Sequence, residues 1–234
     1  MKKLAAIFLI ISFLFSFTAC AQNKPEKNLP KGATEDEKNY PKKLKYTSVE
    51  NDNATGKIYN FTLSKYTTAF NTMYEKLGGD HKDFPYKNWK KQNSETQSNG
   101  KTYNFYYLKG KAIVLTATEE EESKNIVNVG CGTTVKNFNS SDTGKVRFMT
   151  ICGIMASAAG GYSSNDVNFF TNLFTDTISA DEHSFWYDGS IYLYEKEDTD
   201  DKNSTVLFRT LPASVSIEEE WNLQDYKKFW FDNK

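Results

Sequence analysis

Two stretches of this chain carry the same pieces in the same order, about 80 residues apart, and that repeat limits the fold more than any other feature. In the first, Tyr66, Phe70, Met73 and Leu77 fall at i, i+4, i+7 and i+11, which is one face of a helix. Ser64 suits the N-cap of a helix over 65–77, and Gly78-Gly79 supplies the stop. In the second, Phe148, Cys152, Met155 and Ala159 repeat the spacing and Gly160-Gly161 follows, both at an offset of 82. Three apolar runs come after each helix. Phe105-Tyr106-Tyr107 matches Phe185-Trp186-Tyr187, and residues 112–115 match 190–193. The returning runs 126–131 and 205–210 close the two units. Gly-containing turns, Lys109-Gly110 and Asp188-Gly189, separate the first two runs of each unit. Acidic tips, Glu119 to Glu122 and Asp198 to Asp201, precede the third and read as solvated hairpin ends whose charge discourages edge pairing.

The expected fold is α+β: a helix and a three-stranded antiparallel meander, twice, sharing one sheet with the helices on one face. The repeats cover about 64–134 and 146–212 of a single domain, 47–234, closed by a C-terminal tail with Trp221, Tyr226, Phe229 and Trp230. Residues 146–159 also hold Val146, Thr150, Ile151, Gly153 and Ile154, which a strand would accept, so only the match between copies favours a helix there. Ser163 and Asp166 are spaced as a capping box for a further short helix over 164–175. Its counterpart region, 81–89, contains Pro85 and reads as loop. The arrangement resembles, in architecture only, the tandem helix-and-meander domains of bacterial secreted inhibitor proteins.

Ahead of the repeat, Lys2 and Lys3 precede an uncharged run, Leu4 to Phe17, too short to span a bilayer comfortably. This is the order of a secretory signal. Phe17-Thr18-Ala19-Cys20 resembles a bacterial lipobox, with Phe where Leu is commonest. The resemblance implies that residues 1–19 are removed and that Cys20 is acylated. The protein would then sit in the cell envelope as a membrane-anchored lipoprotein, on the outer membrane if there are two. Ala19-Cys20-Ala21 also fits an ordinary secretory cleavage site. Residues 20–46, rich in Lys, Glu and Asn with Pro25, Pro30 and Pro41, read as a flexible tether reaching about 30 Å.

Without Lys2 and Lys3, 27 basic residues face 30 acidic ones, and no basic patch points to nucleic acid. Aromatic residues at 15% suffice for a packed core despite the polar average. Cys131 and Cys152 remain as an even pair in an oxidising compartment and form a candidate disulfide, worth about 3 kcal/mol on the chain-entropy argument. The alternative is two buried thiols packing as small hydrophobes.

Catalytic and metal-binding patterns are weak. His81 and His183 are flanked by acids without ligand or nucleophile spacing. The segment from Asp198 starts like a calcium loop, then places Lys202, Asn203 and Arg209 where the pattern needs an oxygen ligand, a Gly and an acid. No catalytic residue, metal or cofactor is expected. Trp186, Tyr192 and Tyr194 are the candidate binding face, left open if the helices cover Ile191 and Leu193. The expected function is a non-enzymatic binding module in the envelope, with a protein or glycan partner. The alternatives are an envelope hydrolase using acids such as Asp181 and Glu182, or a purely structural protein.

Overall fold

A computed structural model of the chain describes residues 48–50, 57–97, 100–179, 184–187, 190–197 and 204–212. The signal, Cys20, the tether, Asp181 to His183, the second acidic tip and the C-terminal tail lie outside the described residues. The elements begin with a small hairpin, β1 (Ser48–Glu50) and β2 (Lys57–Tyr59), followed by helix α1 (Leu63–Lys76). Two single 3-10 turns, His81–Asp83 and Tyr86–Asn88, lead into β3 (Lys90–Thr96), β4 (Thr102–Lys109), β5 (Val114–Glu120) and β6 (Ile126–Thr134). The short α2 (Val135–Phe138), α3 (Asp142–Gly160) and α4 (Val167–Ser179) come next, and β7 (Ser184–Tyr187), β8 (Ser190–Glu197) and β9 (Thr205–Pro212) complete the sheet.

The fold is α+β, and both units share one antiparallel sheet of order β3-β4-β5-β6-β9-β8-β7. The two meanders, β4-β5-β6 and β7-β8-β9, meet where their last strands pair. Gly130 lies opposite Arg209 in that pairing, and the next register pairs place Val129 against Thr210 and Cys131 against Phe208. Gly130 and Arg209 are also equivalent positions of the repeat, so an approximate two-fold axis perpendicular to the sheet passes between them. Such an axis keeps α1 and α3 on the same face, over one core rather than two.

Local chemistry explains the helices, with corrections to the expected ends. The cap of α1 is Thr62, extended at φ −87° and ψ 165°, whose hydroxyl accepts from the Lys65 N–H; Ser64 lies inside the helix. Tyr66, Phe70 and Met73 face the core as the spacing required, but Leu77 is the C-terminal cap and is exposed. Residues 146–159 are helical, within the longer α3, whose cap Ser141 accepts from the Gly144 N–H. From Phe148 to Gly160 the helix is buried all round, except for half-buried Thr150, because α1, α4 and the sheet enclose it. The glycine pairs do not superpose residue on residue. The left-handed turn falls on the first glycine of the first pair, Gly78 (φ +86°), and on the second of the other, Gly161 (φ +77°). Ser163 and Asp166 form the expected capping box ahead of α4.

One apolar cluster lies between sheet and helices. Phe208, near the axis, is touched by the rings of Phe148, Phe174 and Tyr194, and Val129 and Cys131 lie beside it in the sheet. Alternation along the strands turns Phe105, Leu207 and Arg209 to the opposite face, where Phe105 and Leu207 are buried outside that cluster. Arg209 is buried there too and pairs with Glu195 on β8.

Three further expectations need correction. Glu119 and Glu120 are not a solvated tip. They end β5, both buried, with Glu120 paired to Lys101 and Glu119 3.9 Å from Lys124. Tyr192 does not face outward. It is fully buried against Phe170 and Phe174 of α4, and Tyr194 is half-buried on Phe208. The backbone of Trp186 pairs with Ile191, and its side chain lies outside what the structure describes. The strand alternates as expected, but its two faces are exchanged because α4 presents large rings that need the Tyr side as their partner. Finally, Cys131 and Cys152 are not bridged. Both are free thiols, fully buried in the layer between β6 and α3. Their packing as small apolar groups fills the layer without a covalent bond.

Candidate functional site

With Tyr192 turned inward, the described residues offer instead a cleft where α1 ends beside α3. Its volume is about 460 Å³. Ile151 and Ile154 line it from α3, Tyr74 and Leu77 from the end of α1, and Gly78 to Asp80 from the turn. The turn shapes it. Gly78 reverses the chain in the left-handed region, and the Tyr74 ring lies so close to Gly79 that a Cβ there would fall 2.4 Å from it. The second glycine therefore makes room for the tyrosine, a role the helix-stop reading did not include.

Three polar side chains converge here, Tyr74 and Asp83 from the end of α1 and the turn after it, and Arg147 from α3. The Tyr74 hydroxyl donates to Asp83 Oδ2 at 2.8 Å, and the Arg147 guanidinium donates to the same hydroxyl at 3.4 Å. Arg147 also lies 3.7 Å from Asp83, both roughly half exposed, so the ion pair itself adds only about 0–1 kcal/mol. Its value is geometric, since it ties the turn after α1 to α3. His81 points elsewhere, to Glu75 in the last turn of α1, with Asp80 3.8 Å away.

Burial raises the Tyr74 phenol above its ordinary value of 10.0, and the hydrogen bond to Asp83 adds to the shift while Arg147 opposes it. Tyr106 is raised by burial and by Glu119. Both phenols therefore hold their protons more tightly folded than unfolded. The stability they contribute is complete below about pH 10 and is lost as the pH rises through the folded values. Urea titrations above pH 10 are expected to show stability falling more steeply for the wild type than for Tyr74→Phe combined with Tyr106→Phe. Parallel curves would contradict the assignment.

The cleft also has an apolar rim. Among the described residues the exposed large hydrophobics are Leu77, Tyr86 and Val146. Leu77 lines the cleft, and Val146 precedes Arg147 by one residue and Thr150 by one turn. Single exposed apolar residues are ordinary. Leu77 here stands beside hydrogen-bonding groups, an association of apolar and polar groups common in recognition patches. Nothing in the sequence marked the polar trio, because Tyr74, Asp83 and Arg147 belong to no motif and Arg147 stands 64 residues beyond Asp83. Among the described residues no three His, Cys, Asp or Glu side chains are grouped to hold a metal ion, and no helix is long and apolar enough to cross a membrane. No protein-family model, curated protein or solved structure matches the chain.

Proposed function

We propose that this chain is a lipid-anchored protein of the cell envelope that works as a binding module, with the α1–α3 cleft as its contact surface. The observation that carries the binding half is exposed Leu77 lining the same cleft as the Tyr74–Asp83–Arg147 network, with exposed Val146 next to Arg147 on α3. A protein partner suits it better than a glycan, because the Tyr74 ring is buried on Gly79 and offers no open stacking plane. The partner would place an apolar side chain between Leu77 and Ile154, with polar groups reaching Asp83 and Arg147. The anchoring half is supported by the lipobox-like Phe17-Thr18-Ala19-Cys20 and the polar stretch that follows.

Site-specific photo-crosslinking in intact cells tests the binding surface. A photoreactive residue at Val146 is expected to give discrete adducts that weaken several-fold when Leu77→Asp is added. The same residue at exposed Lys136 should not give them. Identical adducts from both positions, or none from Val146, would contradict the assignment.

A further inference from the structure

Cys131 and Cys152 sit on two elements that pack against each other in the core, β6 and α3. Cys131 is on central strand β6, opposite Phe208, and Cys152 is midway along α3; neither side chain has measurable exposure. The two thiols influence each other across the layer between β6 and α3. The same enclosure keeps every external disulfide away from them.

We infer that this pair is a redox trap: it can be oxidised only while the chain is unfolded or open, and folding then preserves whichever state it reached. The chemistry is thiol–disulfide exchange. One thiolate attacks an external disulfide such as oxidised glutathione, releasing one glutathione thiol and leaving a mixed disulfide. The other cysteine then displaces the second glutathione, so the pair loses two electrons and two protons to the oxidant. Each attack needs a thiolate in contact with the reagent. The folded core denies that contact and disfavours the thiolate, since burial holds the Cys152 thiol far from ionising. Exchange in the folded chain must pass through opened states, which are scarce at the centre of a core. A chain meeting an oxidant before it folds would acquire a covalent tie between α3 and β6. A chain folded under reducing conditions would remain the dithiol seen here. The inference does not depend on the proposed function.

The test uses the full chain carrying Cys20→Ser, which leaves only this pair. Excess oxidised glutathione is supplied either throughout refolding from denaturant or only after folding is complete. Samples are then denatured, alkylated and weighed intact. The disulfide, recognised by a two-hydrogen mass loss and no alkylation, is expected in the first sample. The second should acquire it at least about tenfold more slowly. Phe208→Ala, which loosens the surrounding core, should speed oxidation of the folded chain. Equal rates in the two samples, or no disulfide even when glutathione is present during refolding, would overturn the inference.

Discussion

Gly153→Val is expected to unfold the chain or lower its stability by more than about 3 kcal/mol, among the largest effects of any single added side chain. Gly153 lies where α3 packs on α4. A Cβ there would fall 2.3 Å from Thr171 Oγ1 and 2.7 Å from the Val167 backbone carbonyl oxygen. The hydroxyl can rotate away, but the carbonyl belongs to the first turn of α4 and moves only if the helix moves. Alanine has the same Cβ, so Gly153→Ala should also destabilise, by about 1–3 kcal/mol, despite its better helix propensity. Gly132→Ala is the control, because its Cβ would meet nothing nearer than 3.4 Å, and it should stay within about 0.5 kcal/mol of the wild type. Urea midpoints for the three variants decide the matter. A neutral Gly153→Ala would mean that α3 and α4 are farther apart than described.

The second large effect concerns the charge pair beside the two-fold axis. The Arg209 side chain is only 5% exposed, while that of Glu195 is 30% exposed. Gly130, directly opposite, leaves room for Arg209; a Cβ there would sit 3.2 Å from the Arg209 Cγ. The two single replacements should therefore differ. Glu195→Leu strands a guanidinium away from water and is expected to cost about 3 kcal/mol or more. Arg209→Met leaves a carboxylate that already reaches solvent and should cost less, about 1–2 kcal/mol. The double variant should be more stable than Glu195→Leu alone, since no buried charge is then uncompensated. A double-mutant cycle measures these terms, and additive losses would contradict the pairing.

Those residues also show what the sequence discloses and what it withholds. The stripe on α1 was legible because one side of the helix is polar and the period stands out. In α3 that contrast is lost, since burial on nearly all sides makes almost every residue small or apolar, and only the match to α1 separated helix from strand. Strand β3, Lys-Lys-Gln-Asn-Ser-Glu-Thr, gave no apolar signal because it is an edge strand with much of its surface in water. Alternation placed Tyr192 and Tyr194 on one face and Leu193 on the other, but it does not state which face is inside. That is decided by Phe170 and Phe174, whose rings meet Tyr192 only once α4 has docked. The cleft was hidden for a related reason. Tyr74, Asp83 and Arg147 are ordinary residues until the packing of α1 on α3 brings them together.

The proposed function depends on the chain being held at the envelope, and acylation at Cys20 tests that most directly. Cells expressing the full chain would be grown with an alkyne-tagged fatty acid, fractionated, and the purified protein assayed for label. Wild type is expected to carry the tag and partition with membranes, whereas Cys20→Ser should carry none and leave the membrane fraction. An unlabelled wild type, with both forms distributed alike between fractions, would contradict the anchored binding module.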